Sequence, residues 1–257
     1  MIHPTAIIDP AAVIANDVEI GPYSVIGANV NIGAGSIVKS HVVIEGHTTI
    51  GENNIFFPFS AIGQVTQDLK YVGEPTALII GNNNTFRENT TVHRGTTEGN
   101  PTQIGNDNLF LSYSHVAHDC QVGNHCILSN NGTLGGHCKL GDYAIISGLS
   151  GAHQFCNIGE HSLIGGCTKI VQDVPPFTIV DGNPAIVRGL NLVGLQRRGF
   201  DAVACRTLKQ AYKKLFLGKK KNFAELTDEL AESEYAEDKN VARLIEFIRN
   251  SERGVIR

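Results

Sequence analysis

The chain has 257 residues and a net charge of −4, with 28 glycines, one methionine and no tryptophan; that length holds one large domain or a domain with an appendage, and the charge excludes a global nucleic-acid footprint. No run approaches the roughly 18 consecutive apolar residues of a membrane span, and MIHPTAIIDP enters patterned sequence without a leader-like segment, so the expectation is a cytoplasmic protein with no membrane insertion. Six cysteines without paired short spacings fit reduced thiols better than a disulfide framework.

From Ile2 an apolar residue recurs at every sixth position through Ile8, Ile14 and Ile20 to Ile62. The pattern breaks at QVTQDLKYVGEPTA, where Asp68 and Glu74 fill the slots, and it resumes at Ile80, Phe86 and Val92. It breaks again at EGNPT, with Glu98 in the slot, then runs unbroken from Ile104 to Ile170. Glycine often follows the apolar residue, as at Gly27 and Gly123, and a small or β-branched residue often stands four places after it, as at Ser24, Val42 and Ser150. Neither the 3.6 period of a helix nor the 2.0 period of a strand explains this; a hexapeptide β-solenoid does, with protruding loops near 64–79 and 98–103. Tandem hexads of this kind resemble the left-handed parallel β-helix acyltransferases, in which three hexads close one triangular coil. That resemblance supplies the handedness, an exception to the usual right-handed crossover.

DVPPF and DGNPA, between 173 and 185, mark the exit from a solenoid expected over residues 1–190. From 191 to 257 the spacing turns helical, with Val203, Leu208, Ala211 and Leu215 able to share one face, then Phe223, Leu226 and Leu230, then Val241, Leu244, Ile245 and Ile248. Between Ala202 and Ala224 there is no Asp or Glu, while Arg206, Lys209, Lys213, Lys214, Lys219, Lys220 and Lys221 are cationic. Such a run reads as a solvated helix face or as a surface for an acidic partner.

If one coil takes 18 residues, residues 18 apart stack at roughly 4.8 Å, the strand spacing. Cys120, Cys138 and Cys156 then form a ladder in the small-residue slot, joined there by Cys126, and read as core filler rather than nucleophiles. His41, His47, His125, His137 and His161 share a position expected to be exposed. His115, His118, His137 and His153 fall close to the cysteine ladder on successive coils, beside Asp119 and Gln154. Three readings fit this imidazole-rich column. It is a zinc site like that of the solenoid carbonic anhydrases, although His115 and His118 would diverge unless the turn folds back. It is a structural column. Or it is a general base with a carboxylate holding its tautomer, the side chain pointing outward.

HVAHDC at 115, TQDLKYVGEPT at 66, TVHRGT at 91, AHQFC at 152, QDVPP at 172 and NLVGLQRRGF at 191, in that setting, resemble the bacterial UDP-N-acetylglucosamine O-acyltransferases that begin lipid A synthesis. The resemblance covers nearly the whole chain. It implies that His118 deprotonates the sugar 3-hydroxyl with Asp119 orienting it, and that the alkoxide attacks a 3-hydroxyacyl thioester on acyl carrier protein, with no cofactor beyond the carrier's phosphopantetheine. Gly136 is the implied oxyanion-hole residue; a glycine lets backbone approach the reacting carbonyl closely. Asp68, Lys70, His115, Asn130, His137, His153 and Gln154 are the implied substrate-positioning residues, and Gly166 the implied stop for the acyl chain. Asn191, Arg197 and Arg198 match positions that contact the nucleotide. Val193 stands where the family often has an acidic residue and Pro184 where a histidine is common, so those contacts depart from the pattern. The family works as a homotrimer with clefts between prisms.

Three rivals remain at this stage: N-acylation of a later lipid A intermediate, whose enzymes usually carry a domain before the solenoid, whereas hexads here start at Ile2; a metal-dependent hydratase; and a non-catalytic trimeric scaffold.

Overall fold

The computed structural model describes residues 1–218 and 222–257. Each hexad makes a short strand, most often of two residues, and successive coils pair in parallel, so that His115 lies beside Thr133, Thr133 beside Gly151, and Gly151 beside Lys169. That is the 18-residue return expected from the sequence. Three sheets result, of nine, eight and ten strands. We call them faces 1, 2 and 3, beginning at Ile7–Ile8, Val13–Ile14 and Glu19–Ile20 respectively. The chain visits them in that order, so residues 117–120, 135–138 and 153–156 form the corner between faces 1 and 2. Residues 123–126, 141–144 and 159–162 form the corner between faces 2 and 3, and 129–132, 147–150 and 165–168 the corner between faces 3 and 1.

Inside the prism the aliphatic column is closed, and Phe56, Phe86 and Phe110 stack almost parallel on its axis, with ring centroids 5.0 and 4.7 Å apart. Ile2, Ile8 and Ile14 belong to the same column but lie on the terminal coil, where no preceding coil covers them, so Ile2 stays half exposed. The small-residue slot is more than filler. Ser24 and Ser150 donate to the carbonyls of Lys39 and Gly165, fifteen residues on, and Cys120, Cys126 and Cys138 do the same to Gly135, Gly141 and His153 at 3.1–3.2 Å. The slot therefore satisfies corner carbonyls that the strand ladder leaves over. Burial pushes the Cys126 and Cys156 thiols up to about 12, and a hydrogen bond from the neighbouring Cys120 together with burial pushes Cys138 up as well, so these three are not nucleophiles near neutrality.

The two interruptions share one origin. Ala61 pairs with Thr91, 30 residues on instead of 18, and Thr91 pairs with His115, 24 residues on. Both surpluses leave the prism after a face 1 strand, Ala61–Gln64 and Thr91–His93. Both loops therefore emerge at the corner between faces 1 and 2.

The solenoid ends in an antiparallel hairpin, Thr178–Asp181 with Ile186–Leu190. Among the described residues four α-helices follow: α1 Leu192–Arg197, α2 Ala202–Leu217, α3 Phe223–Ala231 and α4 Lys239–Arg249. The buried face of α2 is Cys205, Leu208, Ala211 and Leu215. Val203 is 66 % exposed and does not join it: it lies five residues before Leu208, off the 3- and 4-residue spacing that Cys205 keeps. The helices are not a detached appendage. The chain end returns to the last coil, where Asp173, fully buried, accepts from Ser251 Oγ at 2.7 Å, and its backbone N–H donates to Gly254 at 2.9 Å. No described helix is long and apolar enough to cross a membrane. Lys219, Lys220 and Lys221 of the cationic run lie outside the described residues.

Replacing Phe86 by Ala removes the middle ring of the axial stack, and the rings above and below are held by their own coils, so the void persists. The expected loss is about 3–5 kcal/mol of unfolding free energy by chemical denaturation; a loss below about 1 kcal/mol would show that the coils collapse into the gap.

Candidate active site

The corner between faces 1 and 2 is set by a repeating backbone device. From Asp107 to Cys167 the chain takes a positive φ at every sixth position, on this corner at Asp119 (60°), His137 (61°) and Phe155 (66°). Non-glycine residues rarely adopt this conformation, so each is held there by the ladder: the His137 N–H donates to the His118 carbonyl, and the Phe155 N–H to that of Gly136. Successive side chains on this slot are therefore locked one above the other, and the His137 ring stacks on Phe155 at 4.5 Å.

His118 Nδ1 lies 2.7 Å from Asp119 Oδ2. The other carboxylate oxygen accepts from the Thr96 N–H at 3.1 Å and from Asn100 Nδ2 at 3.0 Å, while the Asp119 N–H is tied to Thr102 Oγ1. Burial alone pushes the Asp119 carboxyl up, but the hydrogen bonds from His118 and Thr96 outweigh it and the pKa falls. The carboxylate is thus an acceptor, His118 Nδ1 carries the proton, and Nε2 is left with its lone pair. His137 Nε2 stands 3.5 Å from the same carboxylate, with its ring edge-on to that of His118. A Cβ built on Gly136 would lie 2.5 Å from His118 Nε2, so the imidazole occupies the space that only a glycine leaves. The Gly136 carbonyl is taken by Phe155, whereas its own N–H has no partner among the described residues.

His118 was expected to stand in the open. Its side chain is only 11 % exposed, because the two insertions fold over this corner. Thr66 and Thr96 join the loops at 2.9 Å, and Arg94 reaches from the second to the first through the Gly63 carbonyl and the Tyr71 hydroxyl. Asp68 arrives beside the imidazoles this way, with the Lys70 N–H on its Oδ1. His115 lies on face 1, one strand before the corner, bonded to Thr91 at 2.7 Å. His153 and Gln154 are exposed two coils beyond His118, and Arg253 of the returning chain end comes within 3.4 Å of His153.

Other expected residues lie elsewhere. Asn130 and Gly166 stack with Gly148 on the corner between faces 3 and 1, and Asn191, Arg197 and Arg198 lie beside the corner between faces 2 and 3, where Asn191 Nδ2 bonds the His161 carbonyl. His161 itself, expected to be exposed, is buried: Phe177 and Phe200 cover it. A groove of about 750 Å³ opens between face 2 and α4, lined by Gln121, Lys139, Asn157, Arg243 and Phe247, but it reaches none of the residues around His118.

Sequence reasoning missed His93, Arg94, Thr96, Asn100 and Thr102. Their insertion breaks the 18-residue arithmetic that would have placed them; only Thr102, 17 residues before Asp119, carried a hint. His93 is buried with its ring edge-on to His115 at 4.9 Å. As for a metal, Asp68, His118 and His137 each offer a donor, the donors lying within 4.8 Å of one another, and not the His115–His118 pair. Tetrahedral zinc ligands at about 2.1 Å stand about 3.4 Å apart. His118 also commits Nδ1 to Asp119, so this set fits zinc poorly as it stands.

The comparisons with known proteins decide the family. A curated relative from Akkermansia muciniphila, named acyl-[acyl-carrier-protein]--UDP-N-acetylglucosamine O-acyltransferase, is 63 % identical over 253 residues, covering 98 % of each chain. The chain belongs to this family. Its fold is accordingly the left-handed parallel β-helix with C-terminal helices. The solved LpxA structure from Acinetobacter baumannii matches with a TM-score of 0.95 at 46 % identity, covering 100 % of this chain and 99 % of that one. The UDP-N-acetylglucosamine O-acyltransferase of Moraxella catarrhalis matches at 0.94 and 44 %, with coverage of 100 % and 99 %. The model for the second domain of UDP-N-acetylglucosamine O-acyltransferases covers residues 173–256, and the bacterial transferase hexapeptide model covers 1–34 and 101–136.

Burial, then the charges of His115, His118 and Arg94, bring the His93 pKa from 6.5 to about 4, and burial does the same for His161. A depressed folded pKa means the unfolded chain takes the proton first, so the stability these rings contribute is full above about pH 6.5 and lost as the pH falls toward 4. Melting temperature is expected to drop across that window, and His93→Gln should flatten the drop; an unchanged pH profile in that variant would contradict the assignment.

Proposed function

We propose that the chain transfers a 3-hydroxyacyl group from acyl carrier protein to the 3-hydroxyl of UDP-N-acetylglucosamine, the first step of lipid A biosynthesis, with His118 as the general base. The names of the close relatives support the reaction. The observation that supports the mechanism is the buried His118–Asp119 pair, whose imidazole lies against Gly136, a residue whose N–H has no partner among the described residues. Nε2 takes the proton of the sugar hydroxyl as its oxygen attacks the thioester carbon. The N–H of Gly136 donates to the oxyanion of the tetrahedral intermediate. Collapse breaks the carbon–sulfur bond, and the phosphopantetheine thiolate leaves with the proton that His118 acquired. Asp119 holds the tautomer and stabilises the imidazolium. Asp68 and Lys70 in the first loop, with His115, His137, His153 and Gln154, surround the acceptor and the thioester.

A homotrimer is part of this reading, supported by two features. The implied site residues occupy three different corners of one prism, so a site that uses His118 together with Asn191, Arg198 or Gly166 draws on more than one chain. Face 3 also presents Ile37, Ile55, Leu109, Ile127, Ile145 and Leu163 outward along its length, an aliphatic stripe suited to burial against another copy. Face 2 by contrast presents Gln103, Gln121, Lys139 and Asn157. The cations of α2, among them Lys213 and Lys214, are exposed and suit an acidic carrier protein. Six free cysteines suit a reducing, cytoplasmic setting.

His118→Ala is expected to lower kcat by about 100-fold or more with little change in melting temperature, while Cys120→Ser, whose hydroxyl can keep the bond to Gly135, retains most activity. An acyl-enzyme trapped on Cys120, or a folded but dead Cys120→Ser, would replace the general base with a thiol pathway.

Gly166 supports a long acyl chain. A Cβ there meets only the Gly148 carbonyl at 3.5 Å, an ordinary contact, so a side chain fits and projects from the corner. Gly166→Met should shift preference toward shorter 3-hydroxyacyl donors in competition assays while keeping substantial activity on them. Equal loss at every chain length would remove the support for a length stop.

A further inference from the structure

The corner between faces 2 and 3 carries an aromatic ladder that the reaction as described does not use. The rings of His125 and Tyr143 stack at 4.5 Å and 11°, and those of Tyr143 and His161 at 4.7 Å and 12°. All three residues take positive φ, and the Tyr143 N–H is pinned to the Asn124 carbonyl at 2.8 Å, so the ladder has little freedom. Its lower end is buried under Phe177 and Phe200. There the His161 carbonyl accepts from Asn191, whose Oδ1 caps α1 through the Gly194 N–H. Helix α1 is thereby bolted to the ladder, and the residue just past its end is Arg198. The Arg198 guanidinium lies 4.3 Å over the Tyr143 ring. It is half-buried and has no carboxylate or hydrogen-bond acceptor among the described residues.

A guanidinium held against an aromatic ring by a cation–π contact keeps N–H groups free on the side away from the ring. Their fork matches two oxygens of a phosphate. We propose that Tyr143 is a positioning residue for the nucleotide: it is the platform that holds Arg198 in place for the diphosphate of the UDP-sugar. This rests on the reading that Arg198 contacts the nucleotide. Tyr143 does not itself touch the substrate in this scheme; it removes the rotamer freedom that Arg198 would otherwise lose on binding.

The equivalent rungs elsewhere choose the variants. Asn53 and Asn83 fill this slot on the same corner and Leu149 fills it on another, all at positive φ, so Tyr143→Asn and Tyr143→Leu remove the ring without straining the backbone, and Tyr143→Phe keeps it. The measurements are steady-state kinetics on the intact assembly, calorimetric titration with UDP, and the same substitutions in an Arg198→Gln background. Tyr143→Asn and Tyr143→Leu are expected to raise KM for UDP-N-acetylglucosamine about 5-fold and to weaken UDP binding equally, the scale of one partly desolvated cation–π contact. The value of kcat and the KM for the acyl carrier should stay within about twofold, the scale of a change under about 0.5 kcal/mol, and Tyr143→Phe should match the parent. With Arg198→Gln in place, losing the ring should add nothing. A Tyr143 effect of the same size in both backgrounds, or a Phe variant as impaired as Leu, would overturn the positioning role and leave the nucleotide reading intact. An Arg198→Gln enzyme with unchanged KM and UDP affinity would instead overturn the nucleotide reading on which the proposal stands.

Discussion

Parallel pairing between successive coils is the constraint on which the rest of this molecule depends. Because each coil returns to the same face after 18 residues, every side-chain position becomes a column with roughly 4.8 Å between rungs. The interior column must then be uniformly apolar, since any polar rung would meet only carbon above and below. The corners must turn sharply at fixed intervals, and from Asp107 to Cys167 they do so with a positive φ at every sixth residue. Strain that would be an outlier elsewhere is here a structural repeat, held by the hydrogen bonds of the coils on either side.

That repeat is also where the candidate active site sits. Asp119 and His137 are corner rungs of this kind on one edge of the prism, and Tyr143 and His161 are the same kind of rung on another. A side chain fixed at such a slot has its backbone locked by two neighbouring coils, so preorganisation comes with the fold. The interior thiols show the converse. They stand within a few residues of the imidazoles, yet they point into a column where burial holds Cys126 and Cys156 near 12. Direction, more than proximity, separates the proposed base from the filler.

The loops add what a regular solenoid cannot. A prism corner is convex and wet, a poor place for a carboxylate–imidazole pair. Two insertions leaving the prism at one corner roof it over, supply Thr96 and Asn100 to Asp119, and bring Asp68 to the imidazoles. The chain end contributes from the opposite direction, anchored on Asp173 and carrying Arg253 to His153. The helices thus serve the solenoid's site as well as their own core.

Much of this was legible in the residues alone. Hexad spacing determined the solenoid and the inward set from Ile20 to Ile170, because a strict six-residue period admits no other packing of so many aliphatics. Where the count was unbroken, from 104 onward, it also determined that His118, Gly136 and Gln154 share one corner while Gly166 lies on a neighbouring one. The family motifs pointed to His118 and Asp119 as the proposed base and its carboxylate. What the spacing could not determine was anything across an insertion. Thr96, Asn100 and His93 approach the corner only through the folded course of loops whose lengths break the register, and the burial of His118 follows from the same cause. Nor could it put Arg198 on Tyr143, a contact between residues that no shared period relates. Local periodicity fixes neighbours that repeat, whereas contacts made by a chain that leaves the repeat and comes back are decided by packing in three dimensions.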